Sequence, residues 1–137
     1  MDSLSVSRPL TAEQAAKLDP LVLAYVGDGV ETLYVRKCLA LASPTDNAGK
    51  LHRKTVALVS AEAQARQADA CLAAMTQEEQ SIYRLARNHK TKSSAKNATI
   101  GAYHKASGLE AVWGYLYLTG QAERLQELLS LAIEAKE

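Results

Sequence analysis

Phenylalanine is absent from this 137-residue chain, which holds one tryptophan and six tyrosines. A sheet core draws heavily on large aromatic side chains, whereas alanine and leucine dominate here, which favours closely packed helices. Cysteine is also scarce. Cys38 and Cys71 lie far apart and match neither a zinc nor a redox spacing, so both are expected to be core thiols in a reducing compartment. No apolar run is long enough to span a bilayer. The N-terminus lacks a basic segment followed by an apolar stretch, so no secretory signal is expected and the anticipated location is the cytoplasm, away from membranes. No internal repeat or low-complexity tract is present, and no segment alternates as a strand would. The length fits a single domain spanning 1–137, with residues 1–10 forming a loose N-terminus.

A net charge of +1 conceals an asymmetry. Residues 50–105 carry ten basic and four acidic side chains, while the segments before and after are net acidic. The middle of the chain is therefore a candidate polyanion-facing surface.

The periodicity predicts an all-α protein. A short helix follows Thr11, through Ala12 to Lys17. Asp19-Pro20 is a start signal, an N-cap aspartate before a proline at the first helical position. From there Leu21, Tyr25, Val26, Val30, Leu33, Tyr34, Cys38 and Leu41 recur at helical spacing to about Ala42, and Ser43-Pro44 ends the run. A second helical region begins near Thr45 or Asp46, with a break near Val59-Ser60 and Leu51, Val56, Leu58, Val59 and Leu72 on its buried side. Thr76 to Glu79 reads as a capping box opening a helix through Ile82 and Leu85 to about Asn88. His89 to Asn97 reads as an exposed basic loop. Helices are then expected over about Ala98–Lys105, over Ser107–Leu118, and over Gln121–Lys136 with Leu125, Leu128, Leu129, Ala132 and Ile133 inward.

Two features fit these helices badly. In AYVGDGVETLYVR, Gly27, Asp28 and Gly29 interrupt an apolar helix, at about 1 kcal/mol per glycine relative to alanine. In SGLEAVWGYLYL, Glu110 sits among Leu109, Val112 and Trp113. A carboxylate beside an apolar face pairs with a cation, accepts hydrogen bonds or binds a metal. Mg²⁺ needs only one or two carboxylates besides waters and phosphate oxygens, so two facing helices could hold one ion between them. A salt-bridged or rim position for either acid is the alternative.

Both segments resemble the ribonuclease III family. LAYVGDGVETLYVR is similar to its signature helix, and SGLEAVWGYLYL to its second acidic helix. LHRKTVALVSAEAQA and RLARNHK between them resemble the Mini-ribonuclease III branch, which lacks a double-stranded-RNA-binding domain. The match runs from about Leu18 to Ile133. It implies the family's endonuclease-domain helical bundle, a homodimer, and Mg²⁺-dependent hydrolysis of double-stranded RNA to 5′-phosphate and 3′-hydroxyl ends. It further implies Asp28 and Glu110 as the metal-binding catalytic acids, and precursor 23S ribosomal RNA as substrate, with a ribosomal protein on that substrate as a candidate partner. Longer family members carry acids that would fall on Leu21, Ala24 and Ser107, which this chain lacks. Glu31 departs from the apolar residue usual in the short branch and is expected to face solvent. Gly27 and Gly29 would let helices pack closely, with Tyr25, Val26, Tyr34 and Trp113–Tyr117 expected mainly in the core. A catalytically silent RNA- or ribosome-binding scaffold of the same fold, and an unrelated helical interaction module, are the rival readings.

Without a second domain, the basic middle segment would grip the duplex. Its candidates are His52, Arg53, Lys54, Arg84, Arg87, Asn88, Lys90, Lys92 and Lys96. Phosphates supply most of such affinity through lysine and arginine, and A-form RNA is read largely by shape and backbone. Neutralising Lys90, Lys92 and Lys96 together is expected to weaken duplex-RNA binding. It is also expected to flatten the salt dependence by roughly one unit of log–log slope for each phosphate no longer neutralised. Equilibrium binding across a salt series checks this, and unchanged binding removes the loop from the interface.

Overall fold

The structure, a computed structural model, describes residues 8–89 and 99–134. It contains α1 (Ala12–Ala16), α2 (Pro20–Ala42), α3 (Ala48–Val59), α4 (Ala61–Cys71), a 3₁₀ turn (Leu72–Ala74), α5 (Gln77–Arg87), α6 (Ile100–Leu118) and α7 (Ala122–Glu134). No strand occurs among the described residues. Lys90, Lys92 and Lys96 lie outside them, as does most of the expected loose N-terminus.

Side-chain caps set most boundaries. Thr11 and Gln14 close a capping box on α1, and Thr76 and Glu79 close another on α5. Asp19 Oδ1 accepts the Leu21 amide at 2.7 Å, with Pro20 at the first helical position of α2. Ser60 both ends α3 and caps α4, which produces the expected break. Asn47, one residue after Asp46, caps α3 through its side chain, which accepts the Lys50 amide at 2.8 Å, while Asp46 is bound to Lys54 at 2.7 Å. Thr99 caps α6, which runs unbroken through the point where two helices were expected.

The middle of α6 is the centre of the molecule. Leu109, Ala111, Val112, Trp113 and Leu116 are shut off from solvent, packed by α2, α4, α5 and α7. Alanines of α4 (Ala63, Ala65, Ala68) admit close approach, and Leu125, Leu128, Leu129 and Ala132 bring α7 in as its periodicity predicts. On α2 the buried stripe is Leu23, Ala24, Gly27, Glu31 and Val35, not the one that periodicity picks out. Tyr25 is 81% exposed and Leu41 73%, and Leu33 also faces out. The helix is apolar nearly all round, so spacing alone did not choose its inner face. Val56 and Leu85 are likewise exposed, Thr55 is buried in place of Val56, and Cys38 is only half-buried while Cys71 is fully enclosed.

The tightest seating in the fold is between α2 and α6. A Cβ on Gly27 would lie 1.7 Å from the Glu110 carbonyl oxygen, and one on Gly114 would lie 2.0 Å from that of Leu23. The two glycines thus seat each helix against the other's backbone. Gly29 serves no such purpose, since a Cβ there would meet nothing within 4 Å. Gly27→Ala is expected to cost at least about 1–3 kcal/mol by forcing the helices apart. Gly29→Ala is expected to be neutral or stabilising by up to about 1 kcal/mol. Urea unfolding of both variants checks the contrast.

Candidate active site

Gly27 does more than pack. By bringing its helix onto the Glu110 backbone, it carries the next residue, Asp28, to the Glu110 side chain. The two carboxyl groups come within hydrogen-bonding reach of each other. Asp28 is exposed at the rim, Glu110 is half-buried, and Gln64 of α4 donates its amide to Glu110 Oε2 at 3.2 Å. The sequence-predicted pair, distant along the chain, is therefore brought together by three helices. Burial pushes the Glu110 carboxyl up to about 9, and the hydrogen bond and charge of Asp28 and the charge of Glu31 add to this while the Gln64 amide opposes it. A pair of close carboxyls resists double ionisation in this way, because the second negative charge is disfavoured beside the first.

Glu31 is not solvent-facing. One helical turn beyond Asp28, it has no exposed surface, and the Trp113 indole N–H donates to its Oε1 at 2.7 Å. Burial raises its carboxyl to about 7, donors from Trp113 and Gln64 pull it back, and Asp28 pushes it further up. The buried α2 stripe carries this acid inward because Gly27 and Val35, one turn to either side, face α6 and the core. Sequence reasoning missed Gln64 and Trp113 as parts of this arrangement. The one available signal was polar: Gln64 and Gln67 stand on the alanine-rich face of α4, where solvent-facing glutamines had no reason to be.

The described basic candidates sit on two helices and a cap. His52 and Arg53 are exposed on α3. Lys54 is tied to Asp46 and Ser43. Arg84 is exposed on α5, Arg87 lies over the Tyr83 ring at 5.5 Å and donates to Asn88 Oδ1, and Asn88 ends the helix. His89 approaches Asp19 at 3.9 Å, and His104 meets Tyr103 edge-on.

The Ribonuclease III domain family model matches residues 21–121, which contain both acids. The chain is 39% identical over 137 residues to Mini-ribonuclease 3 of Thermoanaerobacter sp., covering all of this chain and 96% of that protein. It is 42% identical over 120 residues to Mini-ribonuclease 3 of Enterococcus faecalis, covering 86% of this chain and 90% of that one. The chain belongs to the Mini-ribonuclease 3 branch of the ribonuclease III family. It is an endoribonuclease that acts on double-stranded RNA. The solved structure of protein FN1578 from Fusobacterium nucleatum is similar in fold, with a TM-score of 0.78 and 26% identity over 88% of this chain and 96% of that one.

Among the described residues, no group of three or more histidine, cysteine or acidic side chains is arranged to hold a metal. Leu21, Ala24 and Ser107 put no further carboxylate beside Asp28 and Glu110.

A pH dependence follows from the raised carboxyls. Below about pH 4.5 the Glu110 and Glu31 side chains are protonated whether the chain is folded or not. Above that the unfolded chain loses these protons first, so the folded state binds more protons and stability falls as pH rises. The decline from Glu31 is complete near pH 7 and that from Glu110 near pH 9. In EDTA, the urea midpoint is expected to drop between pH 6 and 9, and Glu110→Gln is expected to flatten the upper part of the drop.

Proposed function

We propose that Asp28 and Glu110 hold one Mg²⁺ ion with which this endoribonuclease trims paired ends of precursor 23S ribosomal RNA, working as a cytoplasmic homodimer with one site per protomer. The observation that carries the metal reading is the facing of two carboxyl groups, of which Glu110 is kept protonated to about pH 9 by its burial and by the nearness of Asp28. Hard oxygen donors of this kind suit a hard divalent ion that completes its shell with waters and phosphate oxygens. When bound, such an ion activates water and neutralises charge developing on the phosphate. Asp28, exposed at the rim, is accessible to a duplex phosphate, while Gln64 orients Glu110 from the side. His52, Arg53, Lys54, Arg84, Arg87 and Asn88 are the described residues proposed to contact the backbone, with Lys90, Lys92 and Lys96 completing the set.

The homodimer reading is supported by the outer face of α2. Val22, Tyr25 and Leu33 are exposed there, beside an apolar groove of about 550 Å³ lined by Val26, Val30, Tyr34, Tyr117 and Leu129. Val22, Tyr25 and Leu33 together with this groove form a contiguous exposed apolar patch, the kind of surface that marks a protein–protein contact. No helix of the described residues is long and apolar enough to cross a membrane.

Asp28→Asn and Glu110→Gln are each expected to keep the fold and the dimer, seen by circular dichroism and sedimentation. Each is expected to lower Mg²⁺-dependent cleavage of duplex RNA by more than about a hundredfold, beyond the loss typical of residues that only support a ligand. EDTA is expected to abolish cleavage by the unaltered chain. Normal cutting by Asp28→Asn contradicts the assignment, and an inert unaltered chain that still binds duplex RNA points to the silent scaffold instead.

A further inference from the structure

Two carboxylates are deeply buried among the described residues, and only one has a cationic partner. Glu79 is bound by Arg124 at 2.9 Å and by the Thr76 cap. Glu31 makes no ion pair among the described residues, and its Oε2 accepts no hydrogen bond from any of them. Leaving a carboxylate in that state is costly unless a positive charge lies nearby. The neighbours of Glu31 show where that charge would be. Asp28 is one turn earlier on the same helix, and Glu110 is within electrostatic range. Gln64 donates to Glu110 at 3.2 Å, and its amide also favours ionised Glu31.

We propose that Glu31 is a positioning residue of the metal centre: fixed by Trp113 and facing Gln64, it adds a third negative charge beside Asp28 and Glu110 and steadies the amide that orients Glu110. It strengthens divalent-ion binding without coordinating the ion. The inference rests on the Asp28–Glu110 metal reading and extends it to a residue unusual for the short branch.

Trp113 is the only tryptophan, so its emission reports on Glu31 directly. The test is calorimetric titration of the full chain with Mn²⁺, paired with Trp113 fluorescence. Glu31→Gln keeps an oxygen for the indole N–H, removes the charge and puts an amide NH2 in place of the unpartnered Oε2. It is expected to unfold at the same or higher urea concentration than the unaltered chain, yet to bind Mn²⁺ about tenfold more weakly. The Mn²⁺-dependent change in Trp113 emission is expected to shrink with it. Gln64→Leu, which cuts the link without altering Glu31, is expected to weaken Mn²⁺ binding as well and serves as an independent arm if Glu31→Gln fails to fold. Unchanged affinity in the variants, with an unaltered chain that binds and an Asp28→Asn chain that does not, overturns the role of Glu31 alone. An unaltered chain that binds no Mn²⁺, or an Asp28→Asn chain that binds it equally well, overturns the metal reading and this inference together.

Discussion

The site depends on how closely α2 and α6 cross. Gly27 rests on the Glu110 backbone and Gly114 rests on that of Leu23, with no room for a Cβ at either point. Because Asp28 follows Gly27 directly, and Glu110 supplies the very carbonyl that Gly27 meets, the approach that packs the core also sets the distance between the two acids. Packing and chemistry are one constraint here. A helix pair held apart by ordinary side chains would separate the carboxylates by the same amount that it loosened the core.

Around that crossing the molecule concentrates negative charge at its own expense. Glu110 and Glu31 are both pushed far above the usual carboxylate range by burial and by the acids around them. Protonation relieves the repulsion, below about pH 7 at Glu31 and below about pH 9 at Glu110. In the proposed reading a divalent ion would relieve it in place of the protons. Acids perturbed by burial and by a specific charged neighbour are candidates for a functional site. Elsewhere the same chain pairs its buried carboxylate in the ordinary way, Glu79 with Arg124.

The parts of this picture visible in the sequence are those with a local signal. Asp19-Pro20, Thr76–Glu79 and the Ser60 break are cap chemistry, and each marks the boundary expected of it. Asp28 and Glu110 stood out because an acid between small residues on an apolar helix is locally anomalous. What was illegible came from helices that are apolar on every side. In α2 and α6 the 3.6-residue period has no contrast to act on, so Tyr25 and Leu33 were expected inside and are outside. Glu31 was expected outside and is fully buried, because its position is set by the seating of Gly27 one turn earlier, a tertiary fact. Gly29, indistinguishable from Gly27 by composition, meets nothing. Gln64 and Trp113 join the site only through side-chain geometry across three helices.

The central claim is that the α2–α6 crossing holds Asp28 and Glu110 as a single cation-binding pair. Carboxyl-carbon NMR of Glu110, titrated over pH with and without Mg²⁺, measures it most directly. Without Mg²⁺ the account predicts a midpoint near 9, and with saturating Mg²⁺ a fall of several units that Asp28→Asn prevents. A Glu110 midpoint in the ordinary carboxylate range, indifferent to Mg²⁺, would contradict it.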